Sequence, residues 1–151
     1  MEKVIEIISQ ELETLKNRII DNIYRTKRNA SGKTINSLRV EASGNEGILF
    51  GRKYFGTLET GRGPGKIPKD FQSIIAQWAV DKGLFSPDDY KLKTFSYFVS
   101  KKISDKGTKL FRNGGDNEVY SQEIPKTIEN IGDRTMNIIT TMYDSIKLNE
   151  K

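Results

Sequence analysis

The chain has 151 residues, of which 35% are hydrophobic and 30% are charged, and its net charge is +5. It contains no cysteine and no histidine, which excludes disulfides, thiolate metal sites, cysteine nucleophiles and histidine catalysis. The length predicts one domain (1–151), and the low apolar content predicts a thin core whose stability is completed by assembly. No signal-peptide pattern and no apolar run of about 20 residues occurs, so we expect a soluble protein without membrane contact.

The first predicted element is an amphipathic helix over about residues 2–26. Its apolar residues recur at spacings of three and four, as helical periodicity requires. They are Val4, Ile5, Ile8, Leu12, Leu15, Ile19, Ile20 and Ile23. The polar face mixes both charges, with Glu11, Glu13, Lys16 and Arg18.

A β-hairpin is predicted next. Residues 33–38 fit either a short helix or the start of a strand. Apolar and charged residues alternate over 38–42, which is typical of a strand. The small and polar residues of 43–47 suit a tight turn, and 48–50 return as the partner strand.

The segment LETGRGPGKIPKDF, residues 58–71, follows a strand-like apolar run that includes Tyr54 and Phe55. Its glycines do not have the spacing of a dinucleotide-binding loop, and Pro64 lacks an amide that a phosphate would use. We therefore predict an extended, exposed, flexible loop at about 59–68. Its basic residues, Arg62 and Lys66, are within reach of a nucleic-acid backbone.

Three more helices are predicted, at about 70–82, 92–106 and 122–147. Trp78 is in phase with Ile74 and Ile75, which favours burial in the core over stacking on bases. A second flexible loop is predicted at about 107–118, and Gly132 permits a break in the last helix. The fold class is therefore α+β: a long N-terminal helix, a small antiparallel β-sheet with a hairpin, two or three packed helices and long protruding loops.

No set of catalytic residues is recognisable. The stretch ASGKT, residues 30–34, lacks the first glycine of a phosphate-binding Walker loop. Asp88 and Asp89 occupy a turn, where aspartate is ordinary. No serine or threonine can be assigned a base. We expect no enzyme, no cofactor and no metal, and a small hydrolase or nuclease that uses Asp88 and Asp89 ranks last among the functions considered.

Four stretches, taken in chain order, resemble a family of tailed-bacteriophage virion proteins that complete the tail or join it to the head and are known as minor tail, neck or tail-completion proteins. The stretches are ASGKTINSLRVE (30–41), YFGTLETGRGPGKIP (54–68), the Trp78 helix ending at KGL (82–84) and FVSKKISDKGTKLF (98–111). Each is weak alone, and their order carries the resemblance. It implies a structural subunit made in the host cytoplasm and built into the virion neck or tail.

The resemblance further implies a ring of copies, hexameric or dodecameric, through which DNA passes, and contact with other neck, portal or tail proteins. Three groups of residues are expected to serve it. The inter-subunit or DNA-channel loop comprises Glu59, Arg62, Gly63, Pro64 and Lys66; the second basic loop comprises Lys106, Lys109 and Arg112; the interface or core aromatics are Tyr54, Phe55 and Trp78. The alternative is a small basic nucleic-acid-binding module that makes non-specific phosphate contacts.

Overall fold

A computed structural model describes residues 2–149 of the chain. Its elements, in chain order, are α1 (Glu2–Arg25), α2 (Lys33–Asn36), β1 (Arg39–Ser43), β2 (Glu46–Phe50), α3 (Thr57–Thr60), α4 (Phe71–Asp81), α5 (Lys91–Lys106), α6 (Lys109–Arg112) and α7 (Ile124–Asn149). The predicted α+β class, with its long N-terminal helix and antiparallel hairpin, is confirmed. Within residues 2–149, no helix combines the length and the hydrophobicity needed to cross a membrane.

The main core lies along α1. Leu15, Ile19 and Ile23 recur at four-residue intervals on one face of this helix, and Val119 from the far end of the chain joins them. All four side chains are buried. Around this cluster pack partly buried apolar residues, namely Leu12, Ile35, Leu38, Leu49, Phe55, Leu58 and Tyr120. The core is therefore small, as the composition predicted.

The two strands form a hairpin that lies against α1. They pair antiparallel from Arg39 opposite Phe50 to Ser43 opposite Glu46, which leaves a two-residue loop. Val40 and Leu49 form one pair of this register and are half-buried. Of the two alternatives for residues 33–38, the short helix is the one observed, as α2.

The predicted strand-like run at Tyr54–Leu58 is wrong. Residues 53–56 form a turn and α3 follows, because backbone N–H groups at Thr57 and Leu58 donate three residues back, to Tyr54 and Phe55. Such bonds coil the chain instead of extending it. The consequence is that Glu59, the third residue of α3, points into the protein and is only 3% exposed.

Helices α4 and α5 form a second packed pair. Phe71, Ile75 and Ala79 of α4 are buried, and α5 contributes the buried small residues Ser96 and Ser100. Small side chains allow the two helix backbones to approach closely.

Helix α7 lies antiparallel to α1. Nη1 of Arg134 lies 2.7 Å from Oε1 of Glu11, and Asn22 donates to Glu123 near the other end. Glu11, predicted on a polar face of α1, is therefore buried, because α7 covers that face. Gly132 does not break α7, since one weak helix former is tolerated inside a long helix.

We predict that Gly115→Ala destabilises the protein more than Gly114→Ala does. Both glycines have positive φ angles, 71° and 88°, so each alanine carries a left-handed backbone penalty of about 1–2 kcal/mol. At Gly115 the added Cβ would also lie 2.7 Å from the carbonyl oxygen of Glu59, whereas at Gly114 it would meet nothing within 4 Å. Overpacking adds about 1–3 kcal/mol at Gly115 alone. Equal losses in chemical denaturation would contradict this close approach.

Candidate functional site: the paired loops and two apolar surfaces

The two loops singled out from the sequence contact each other, and we call 59–68 and 107–118 the paired loops. The backbone N–H of Arg62 donates to Oγ1 of Thr108 at 3.0 Å, and the backbone N–H of Thr108 donates to the carbonyl of Arg62 at 2.8 Å. Thr108 also caps α6 by accepting from the N–H of Phe111. Two of the stretches that carry the family resemblance, 54–68 and 98–111, thus meet in one structural unit.

The carboxylate of Glu59 organises the chain that follows the paired loops. Its Oε1 accepts three backbone N–H groups, from Val119 at 3.0 Å, Tyr120 at 2.6 Å and Ser121 at 2.9 Å. Its Oε2 accepts the Ser121 hydroxyl at 2.5 Å. We call this arrangement the Glu59 network. It holds Val119 in the main core and fixes the backbone just before α7. Glu59 therefore has a structural role that the sequence did not reveal.

Arg28 ties the end of α1 to the same unit. Its Nη1 donates to the carbonyl of Leu58 and to Oδ1 of Asp116, each at 2.8 Å, and its Nη2 forms an ion pair with the second oxygen of Asp116. The backbone N–H of Asp116 in turn donates to the carbonyl of Glu59 at 2.9 Å. A bidentate guanidinium–carboxylate pair fixes orientation as well as distance. Neither Arg28 nor Asp116 was singled out from the sequence, because their pairing spans 88 positions.

Three carboxyl groups have depressed pKa values: Glu59 and Asp116 in the contacts just described, and Glu11 in the contact between α1 and α7. For Glu59, burial raises the pKa, but the hydrogen bonds from Ser121, Tyr120 and Val119 together outweigh it, and the pKa lies below its ordinary 4.5. The hydrogen bond from Arg134 lowers the pKa of Glu11, and the one from Arg28 lowers the pKa of Asp116. Each of these carboxyl groups therefore stabilises the folded state when the group is ionised.

We predict that acid destabilises the protein. Because these carboxyl pKa values are lower in the folded than in the unfolded chain, their contribution is complete above the ordinary values of 4.5 and 3.8. It is lost as pH falls through the folded values. The free energy of unfolding should drop between pH 5 and pH 3 (about the range in which carboxyls titrate), and less steeply in Glu59→Gln, which has one titrating group fewer. Parallel curves for the two proteins would contradict the assignment to Glu59.

The first predicted loop is less exposed than expected. The prediction of an extended, exposed 59–68 is wrong at Glu59, which is buried, and at Gly63, which is half-buried against the ring of Phe111. The backbone bonds between the paired loops are the physical reason. Pro64 is exposed, as predicted. The flexibility of both loops stays a prediction.

The basic residues of this loop differ in their surroundings. The Arg62 guanidinium stands 4.7 Å from the ring centroid of Phe71, and its Nη2 donates to the carbonyl of Lys66 at 2.9 Å. Arg62 therefore holds the loop against α4, and its guanidinium is less available to a ligand because it already contacts Phe71 and Lys66. The side chain of Lys66 is exposed and is the better placed of the two for contact with a partner.

The second basic loop is at the surface, but the prediction of 107–118 as loop throughout is wrong at residues 109–112, which form α6 because Thr108 caps this turn. Lys106, Lys109 and Arg112 are exposed, and Nη1 of Arg112 donates to the carbonyl of Gly107 at 2.7 Å. Within residues 2–149, none of the three basic side chains forms an ion pair. Their charges are available to an anionic partner.

The three predicted aromatic residues occupy different environments. Phe55 is partly buried and packs on Tyr120, with ring centroids 5.4 Å apart. Tyr54 is 70% exposed. Trp78 is 39% exposed, so its predicted burial is wrong: α4 turns Ile75 inward and leaves both Ile74 and Trp78 at the surface. An interface role for Tyr54 and Trp78 stays a prediction.

Two apolar surfaces were not anticipated. One is an open cavity of about 510 Å³ between α4, α5 and α6, with Trp78 in its wall. The other runs along α7, where helical spacing in the sequence predicts an apolar stripe at Ile124, Ile128, Ile131, Ile138, Ile139, Met142 and Ile146. Of these residues, Ile131 and Ile138 are half-buried and the other five are exposed. We call the exposed five the α7 strip; its members are Ile124, Ile128, Ile139, Met142 and Ile146, between 41% and 64% exposed. Helical periodicity signalled the stripe but not which way it would face.

Asp88 and Asp89, the two aspartates considered for metal-dependent chemistry, lie just before α5. Among residues 2–149, no three acidic side chains come together in a way that would hold a metal ion. Oδ1 of Asp89 accepts the backbone N–H of Lys91 at 2.8 Å, at the start of α5. That contact is an ordinary turn and helix-start interaction, as predicted.

Comparisons of the chain with protein-family models, with curated proteins and with solved structures find no match.

Proposed function

We propose that this chain is a structural subunit of a tailed-phage virion, which forms a ring in the head–tail connector, neck or tail through which DNA passes. It acts by assembly and performs no catalysis. The observation that carries the proposal is the extent of apolar surface left exposed on a small domain. Within residues 3–146, seventeen large hydrophobic side chains are exposed, and five of them form the α7 strip.

Exposed apolar surface of this kind is typical of proteins that bind other proteins. Among the described residues, eight apolar side chains are buried and four of them form the main core, which is few for a chain of 151 residues. Association with further copies would bury more and add stability. The pairing of two resemblance-bearing stretches in the paired loops also supports a shared architecture with the neck and tail family.

Electron microscopy of the purified protein tests the proposal. We expect ring-shaped particles with a central opening, and we expect the chain among the proteins of purified virions from a phage that encodes it. The proposal fails if the protein stays monomeric at every concentration and is missing from the particles.

A specific observation favours the nucleic-acid-binding alternative. Lys66, Lys101 and Lys106 are exposed, and no ion pair within residues 2–149 engages them. Such lysines suit non-specific contact with phosphates. A salt titration separates the two functions: tight, steeply salt-dependent DNA binding by a monomer would favour the alternative, whereas weak binding that appears only with ring formation fits the lumen of a ring.

A further inference from the structure

Trp78, the one tryptophan of the chain, lies in the wall of three adjoining cavities. The first is the cavity of about 510 Å³ between α4, α5 and α6. The second, of about 400 Å³, shares Thr108 and Leu110 with the first. The third, of about 440 Å³, shares Arg28 and Leu58 with the second. We call the three cavities together the Trp78 site.

The Trp78 site is strongly basic. Among the lining residues that the structure describes, nine are lysine or arginine and one, Asp81, is acidic. The whole chain has 25 basic and 20 acidic residues, so outside the site 19 acidic residues face 16 basic ones. The net positive charge of the protein is therefore concentrated around Trp78, where it would attract an anionic partner.

Most of these cationic side chains are available to a partner. Arg28 is neutralised by Asp116, but within residues 3–146 no ion pair engages the other eight. Two of the eight, Arg62 and Lys82, donate to backbone carbonyls. The other six side chains are exposed; they are Lys27, Lys33, Arg52, Lys102, Lys109 and Arg112. Lys33 and Arg52 line the third cavity and the last three line the first, so the positive charge extends to both sides of Trp78.

The site also has apolar walls. Besides Trp78, the apolar residues that line the first cavity are Phe71, Ile75, Val99, Ile103 and Leu110. A cavity of about 150 Å³ with such a lining holds benzene, so 510 Å³ is room for at least one large side chain. Trp78 and Ile74, which are 39% and 47% exposed, continue the apolar surface into the third cavity.

An acidic protein segment fits these features better than a single strand of nucleic acid does. Sites for single strands stack successive bases on several aromatic rings, whereas Trp78 is the one exposed ring among the described lining residues. The polar edges of a base would also lose hydrogen bonds to water against aliphatic walls. A leucine or phenylalanine side chain fills the first cavity without that cost, and neighbouring carboxylates meet the lysines.

We propose that the Trp78 site binds an acidic segment of a partner protein. A large apolar side chain of the segment enters the cavity between α4, α5 and α6, and carboxylates on its two sides contact Lys102 and Lys109 at one end and Lys33 and Arg52 at the other. Trp78 packs on the segment between these contacts. The inference goes beyond ring formation and does not depend on it, because the whole site lies on one copy of the chain.

The fluorescence of Trp78 tests the proposal, since no other tryptophan contributes to the signal. The probes are three synthetic peptides of equal length. One has leucine and phenylalanine in the middle of a run of glutamates, the second has serine in place of both apolar residues, and the third has glutamine in place of every glutamate. The first should bind and shift the emission to shorter wavelength, because it removes the indole from water. The other two should bind at least about tenfold more weakly, since each lacks one half of the complementarity.

Two double variants locate the contact. Lys102→Ala with Lys109→Ala should weaken the first peptide about tenfold and make its binding less dependent on salt. The matched control, Lys91→Ala with Lys93→Ala, removes two exposed lysines of α5 outside the site and should bind as the unaltered chain does. Circular dichroism checks that both variants are folded, and isothermal titration calorimetry measures the affinities.

The proposal is overturned if the first peptide binds no tighter than the other two, or if the two double variants bind it equally. It is also overturned if an oligothymidylate of the same charge quenches Trp78 and binds more tightly than the peptide, because the site would then be one for nucleic acid. Ring formation is read separately, by native mass spectrometry of the chain alone. Rings without peptide binding leave the proposed function standing, whereas peptide binding by a chain that never assembles supports the site and contradicts the function.

Discussion

Replacement of Glu59 by alanine should cost about 3–5 kcal/mol in the free energy of unfolding. The carboxylate accepts the N–H groups of Val119, Tyr120 and Ser121, and the variant would leave all three without that acceptor beside the main core. Each buried donor left unsatisfied costs about 1–3 kcal/mol. A domain of this size has a total stability of about 5–15 kcal/mol, so the loss is large.

Two further variants isolate the cause. Glu59→Gln keeps one acceptor oxygen and should lose less than alanine does. Glu118→Ala removes an exposed carboxylate whose nearest cation, Arg25, is 4.0 Å away, and should cost less than about 1 kcal/mol. Urea denaturation at neutral pH measures all three. Similar stability of Glu59→Ala and Glu118→Ala would show that the Glu59 network does not hold the fold together.

The second large effect is expected at the centre of the main core. Ile23 is 1% exposed and contacts a cluster that joins α1 to Val119. Ile23→Ala removes buried methyl and methylene groups and leaves a cavity, which typically costs about 2–5 kcal/mol. With few other buried apolar residues available, the thin core should not close over that space.

A surface isoleucine serves as the control for this substitution. Ile48 on β2 is 48% exposed, and Ile48→Ala should cost less than about 1 kcal/mol. Thermal unfolding of the two variants, followed by circular dichroism, compares them directly. If they lost equal stability, the cluster around Ile23 would not be the principal core.

Local periodicity predicted most of the helices well. Helix α1 was predicted at about 2–26 and ends at Arg25, and α4 and α5 lie within a residue of their predicted limits. These elements are long and their apolar spacing is regular, so local pattern and tertiary packing agree. The hairpin was predicted equally well, because its turn residues are small and polar.

The failures occurred where distant residues decide the outcome. Glu59 was expected on an exposed loop, but its partners are backbone amides 60 to 62 positions away, and no local pattern announces them. Trp78 had the spacing of a core residue, yet the contact between α4 and α5 uses Phe71 and Ile75 instead. The α7 strip shows the same limit, since a stripe of apolar residues does not reveal which partner covers it.

Stability and assembly are expected to depend on different surfaces. The Glu59 network and the main core hold the single chain together, whereas the α7 strip and the cavity between α4, α5 and α6 remain at its surface. Substitutions at Glu59 or Ile23 should therefore lower the unfolding free energy, while those of exposed residues in the α7 strip should change association and leave the isolated fold intact.

The mass of the purified, unaltered chain in native mass spectrometry tests the central claim most directly. We predict a closed assembly of a single defined copy number, six or twelve according to the family resemblance, in equilibrium with few intermediates. A spectrum that contains monomer alone, from dilute to concentrated protein, would contradict a subunit that works by ring formation.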